Sequence, residues 1–171
     1  MSDDMSTRDM LARHVESACE FLDLAAAAQN ADDGLTNAEV RQITERAGNW
    51  TLAALIDSLR NGEYRPDDEE PAWSVDEYTA HDVLDNEGVR LDDLGHAMIE
   101  DYFMDVVVRK GEPARALITV GGPNIYLVFD EFGGGPRIEG YWGLEAVTRR
   151  SWGVEYFAES LAEDYGMHDN A

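Results

Sequence analysis

Near the start of the chain the apolar positions Leu11, Val15, Ala18, Leu22 and Ala25 alternate between spacings of four and three. That rhythm keeps them on one stripe of a 3.6-residue helix. It predicts a helix from Ser6 or Thr7 to Gln29, ended by the turn residues Asn30 to Gly34. Such a seam packs in a core by default, with a partner helix as the alternative.

Thr36 and Glu39 have the spacing of a capping box, which predicts a second helix up to Ala47. Leu52, Leu55, Ile56 and Leu59 predict a short third helix over 51–59. Gly62, Pro66 and Pro71 make 60–73 a loop. Ser74 with Glu77 reads as another capping box, opening a fourth helix to Asn86 that Gly88 stops. Leu94, Met98, Ile99, Tyr102 and Phe103 predict a fifth helix over 91–104.

The period then shortens. The stretches DVVVRK (105–110), ARALITV (114–120), NIYLVFDEF (124–132) and RIEGYWG (137–143) are rich in β-branched and aromatic residues. GGP at 121–123 and GGGP at 133–136 supply turns between them. Val154, Phe157, Leu161 and Tyr165 predict a last helix over 151–165, capped by Gly166 and laid on one sheet face. The predicted fold class is α+β: a helical N-terminal portion, then a three- or four-stranded antiparallel sheet and a C-terminal helix. Residues 1–104 form the helical acidic portion and 105–171 the sheet with its helix, as two portions or one compact domain.

Composition narrows the class. A chain of 171 residues that is 44% hydrophobic can bury a core and is not a disordered tail. No apolar run is long enough to span a bilayer, and MSDDMSTRDM has no secretory pattern, so a cytoplasmic protein is expected. The single cysteine, Cys19, lies in a helical pattern and reads as a small buried group.

Charge changes the picture more. The net charge is −23, from 36 acids against 13 bases. Such a surface repels nucleic acid and attracts basic proteins or cations. The bases are 12 Arg and one Lys, as a GC-rich genome or salt adaptation would give. Salt adaptation should spread the acids evenly. Instead residues 66–108 hold 14 acids and one base, Arg90. Fourteen carboxylates match the charge on about seven base pairs of duplex. Carboxylates three or four apart on a helix sit about 5–6 Å from one another, close to the spacing of phosphates along a strand. The candidate partner-binding residues are Asp67, Asp68, Glu69, Glu70, Asp76, Glu77, Asp82, Asp85, Asp92, Asp93, Glu100 and Asp101. The plain alternative is a solvated acidic face.

Other chemistries have weaker patterns. EF-hand loops built on Gly34 or Gly88 put Val40 or Leu94 where Glu is required. His81 with Asp85 and His96 with Glu100 lack further ligands for a zinc site. The glycine turns lack the Lys and Ser/Thr of a phosphate loop. No nucleophile elbow is present, and no catalytic residue, metal or cofactor is assigned. The second and third helices have helix-turn-helix length without its cations. Tyr141 and Trp142 are adjacent in one strand, so alternation sends one inward and the other to the opposite face as a possible binding anchor.

Thr119 to Pro123, Tyr141 with Trp142, and Thr148 with Arg149 form a pattern of their own. Over residues 100–165 the chain resembles small uncharacterised proteins of phages, prophages and plasmids. The resemblance implies a mobile-element origin in a bacterial host cell, and by association the acidic anti-CRISPR and antirestriction proteins that mimic DNA. The expected function is a non-enzymatic anti-defence protein, an anti-CRISPR acting as a nucleic-acid mimic. Its partner would be a basic nucleic-acid-binding protein of a host defence system, a Cas effector subunit or restriction enzyme, with no direct nucleic-acid or membrane contact. Two alternatives stand beside it: a regulatory module binding through the aromatic sheet, and a small acid/base or metal-dependent enzyme.

Overall fold

The computed structural model of the chain describes residues 5–64, 78–119, 122–129 and 134–166. Six helices are present among them: α1 (Thr7–Gln29), α2 (Asn37–Arg46), α3 (Trp50–Asp57), α4 (Ala80–Asn86), α5 (Leu91–Ile99) and α6 (Trp152–Asp164). A 3-10 turn, Ser58–Asn61, extends α3. Five strands, β1 (Asp105–Val107), β2 (Arg115–Thr119), β3 (Asn124–Val128), β4 (Arg137–Trp142) and β5 (Glu145–Arg149), form one antiparallel meander in chain order. The fold is α+β.

The chain makes two units: a sheet unit, Met1–Ala26 with Asp101–Ala171, and a helical unit, Ala27–Glu100. This differs from a division at residue 104, because most of α1 belongs with the sheet. The whole predicted seam is buried, and the seam needs an apolar surface to cover. β4 supplies it: a Cβ built on Gly140 would lie 2.5 Å from Val15 Cγ2, so only a glycine strand position lets α1 approach so closely. Ion pairs from Arg8 to Glu145 (3.5 Å) and from Arg149 to Glu16 (3.9 Å) flank the buried Val147 on β5. α6 packs on β3 and β4, as expected of the last helix.

Three expectations are corrected. The sheet has five strands, not three or four. β5 escapes the periodicity because only Val147 of its five residues is buried. α5 stops at Ile99, short of Met104. Tyr102 instead stacks on Phe21 of α1 at 4.2 Å, Phe103 leans on Phe157 of α6, and the Met104 amide donates to the Leu117 carbonyl. Those apolar residues therefore serve the sheet unit rather than a helix stripe. On α6 the buried set is Gly153, Val154, Phe157, Ala158 and Ala162, and Tyr165 is half exposed.

In the helical unit α3, α4 and α5 all contact α2. The Thr36–Glu39 capping box forms as the spacing requires. Thr79 and Asp82 form a second box in front of α4, while Ser74 and Glu77 lie outside the described residues. Tyr78 and Thr79 are not helical, so the fourth helix begins at Ala80. Gly95 of α5 meets the last turn of α1: a Cβ there would lie 2.6 Å from the Gln29 amide nitrogen.

Candidate partner-binding surface

α4 buries Ala80, Val83 and Leu84, and α5 buries Leu91, Leu94, Gly95 and Met98. This apolar pattern turns the acidic residues of both helices outward. Six of the twelve predicted residues are described: Asp82, Asp85, Asp92, Asp93 and Glu100 in the helical unit, and Asp101 at the start of the sheet unit's second segment. Asp67, Asp68, Glu69, Glu70, Asp76 and Glu77 lie outside the described residues.

The six divide by local role. The Asp82 carboxylate accepts the Thr79 amide at 2.8 Å and completes the α4 cap. Asp92 accepts from Arg90 Nη2 at 2.8 Å and Nε at 3.1 Å, so Arg90, the one cation of residues 66–108, is already engaged. That guanidinium holds the Asp92 carboxyl below the usual carboxylate range. Asp92 and Asp93 occupy the first turn of α5, where the helix dipole favours negative charge.

Asp85 and Glu100 have no such role. Asp85 is in the last turn of α4, which contains no base, and Glu100 is the C-cap of α5. Negative charge at a helix C-terminus opposes the dipole. Both side chains, with Asp93 and Asp101, are exposed. Asp93 and Glu100 are two helical turns apart on α5, about 10 Å along its axis.

A second surface lies on the sheet face turned away from Leu11 and Val15. Alternation places Trp142 on the covered side, 6.4 Å from the His14 ring, and Tyr141 on the other. There Arg137 Nε donates to Glu139 at 2.6 Å, and the Tyr141 hydroxyl donates to the same carboxylate at 2.8 Å. That carboxylate raises the Tyr141 pKa. Tyr126, cross-strand from Glu139, lies 4.9 Å beneath the Arg115 guanidinium. The sequence reading singled out only Tyr141 and Trp142 here. The signal for the rest was the strict alternation of Arg137, Glu139 and Tyr141.

Thr119 closes the conspicuous glycine turn, its hydroxyl donating to the Pro123 carbonyl at 2.6 Å. The pairing of His81 with Asp85 has a local competitor, because His81 Nε2 lies 3.0 Å from the Leu35 carbonyl. Among the described residues no group of three or more His, Cys, Asp or Glu side chains could hold a metal ion, and no helix is long and apolar enough to cross a membrane. Comparison with known proteins finds no matching family model, no matching curated protein and no matching solved structure.

Proposed function

We propose that the chain is an anti-defence protein of the anti-CRISPR kind, which binds a basic nucleic-acid-binding protein by presenting carboxylates in place of phosphates. The observation that carries this reading is the exposure of Asp85 and Glu100 at helix C-termini, where they work against local stability. Both carboxylates add exposed charge to α4 and α5 at a local cost to the helix ends. Asp93 and Asp101 add exposed carboxylates that form no ion pair among the described residues. The mobile-element part rests on the resemblance carried by Thr119 to Pro123, Tyr141 with Trp142, and Thr148 with Arg149.

The test is capture of Cas effector subunits and restriction enzymes by the immobilised full chain, with duplex DNA as competitor. Under this reading binding weakens steeply with salt, DNA displaces the partner, and Asp85, Asp93, Glu100 and Asp101 changed together to Lys abolish capture. Asp82 is left intact because it completes the α4 cap, and Asp92 because it pairs with Arg90. Capture that survives this fourfold reversal and is lost in Tyr141→Ala overturns the mimic in favour of the sheet face. That second reading is supported by Tyr141, 41% exposed beside the Arg137–Glu139 pair.

A further inference from the structure

α2 and α3 border a cavity of about 360 Å³, within the size range of small-molecule sites. Ile56, Leu59 and Tyr78 give it an apolar wall, and Arg41, Asp57 and Arg60 a polar one. The cavity lies wholly in the helical unit, and a shallower hollow sharing Arg41, Asp57 and Arg60 continues it toward Gln42 and Asn61.

The polar wall is unequal. Arg41 is fully engaged in a fork, with Nε 2.5 Å and Nη2 3.1 Å from the two Asp57 oxygens and Nη1 2.5 Å from Glu45. Asp57 is neutralised in the same contact. Arg60 forms no ion pair among the described residues. Among the described lining residues the charges are Arg41, Asp57 and Arg60, and with Arg41 shared between Asp57 and Glu45, Arg60 is the lining cation left to meet a ligand in a chain of net charge −23. At physiological salt charges more than about 8 Å away are largely screened, so a guanidinium in the lining acts on a ligand more strongly than the net charge of the chain does.

We propose that this cavity binds a small organic anion, a carboxylate carried on an aromatic ring. The ring fills the space against Ile56, Leu59 and Tyr78, and the carboxylate pairs with Arg60. The fixed Arg41–Asp57 fork forms the wall between the apolar and polar ends and holds α2 to α3. A cationic ligand of the same shape meets Arg60 unfavourably, and a neutral one leaves it unanswered. This site is independent of the acidic surface on α4 and α5.

The test is an amide NMR titration of the full chain with phenylacetate, and with phenylacetamide as the neutral match. Phenylacetate is expected to give saturable shifts confined to α2, α3 and Tyr78, with affinity about tenfold or more above that of the amide. Arg60→Gln removes the preference for the acid. Ala38→Leu adds bulk to the cavity lining from an exposed position and removes the shifts, while the circular dichroism spectrum and urea midpoint stay at the wild-type values. Equal affinity for acid and amide, an unchanged preference in Arg60→Gln, or no saturable shift with phenylacetate overturns the proposal.

Discussion

Gly153, at the start of α6, stands against the backbone of Leu22 in α1: a Cβ placed on it would lie 2.5 Å from the Leu22 carbonyl oxygen. The Gly153 amide also donates to Asp23 Oδ1 at 2.7 Å. The two helices touch main chain to main chain, and both cover the sheet. A side chain can rotate away from an added methyl, but a helix backbone cannot. Gly153→Ala is expected to destabilise the protein by about 1–3 kcal/mol, the usual cost of overpacking. Urea denaturation measures it, with Gly122→Ala as the control, since nothing lies within 4 Å of a Cβ there. Equal midpoints for the two variants would show that α6 can shift off α1 freely.

This contact explains what could be read in the sequence. The α1 seam and the Thr36 cap are local patterns, and both formed where the spacing put them. What the seam packs on is not local. Gly140 and Gly153 make room for it, but in sequence one is a glycine inside a strand pattern and the other a glycine at a helix start, and neither pattern names its neighbour. Tyr102 and Phe103 matched a helical stripe in spacing, yet Phe21 and Phe157 compete for them from far along the chain. In the acidic tract, composition revealed the density of charge. It did not separate Asp82 and Asp92, which cap or open helices, from Asp85 and Glu100, which oppose the helix dipole. That distinction depends on helix boundaries, and the boundary at Ala80 comes from an Asp at the third position of a box where Glu is more usual.

Asp57 gives a pH signature. Its fork with Arg41 holds the carboxyl below the usual range, chiefly through the hydrogen bonds from the guanidinium. A group depressed on folding contributes stability that is complete above its unfolded pKa of about 4 and lost as pH falls through the lower folded value. Asp57→Asn cannot titrate. The difference in urea midpoint between wild type and Asp57→Asn should therefore be constant from about pH 7 to 5 and shrink below about pH 4. A difference that grows on acidification would contradict the fork.

Cys19 reports on opening of the sheet unit. It is 8% exposed on α1, and burial, reinforced by Asp23, pushes its thiol up to about 11. At pH 8 only about one molecule in a thousand then carries the reactive thiolate in the folded state. Labelling by a chromogenic disulfide reagent should be slow in native buffer and fast once urea exposes the residue. Its urea dependence should follow loss of tertiary fluorescence. Rapid labelling without urea would mean that α1 opens from the sheet on its own.

The placement of Asp85 and Glu100 sets stability against binding. Lys at either position reverses an unfavourable interaction with a helix C-terminus, so Asp85→Lys and Glu100→Lys should each stabilise by a few tenths to about 1 kcal/mol at low salt, with a smaller gain at high salt. Asp93→Lys should do the opposite, because Asp93 sits in the favourable first turn of α5. Acids at helix ends are not confined to this tract: α6 closes on Glu163 and Asp164 with no base in its last turn. Glu163→Lys is therefore the matched control, expected to stabilise without touching the acidic surface of the helical unit. If Asp85→Lys and Glu100→Lys gain stability and lose the partner while Glu163→Lys gains stability and keeps it, charge on α4 and α5 is held for binding at a cost to the fold. If all three gain stability and all three keep the partner, the carboxylates of α4 and α5 are a solvated face and the binding surface lies elsewhere.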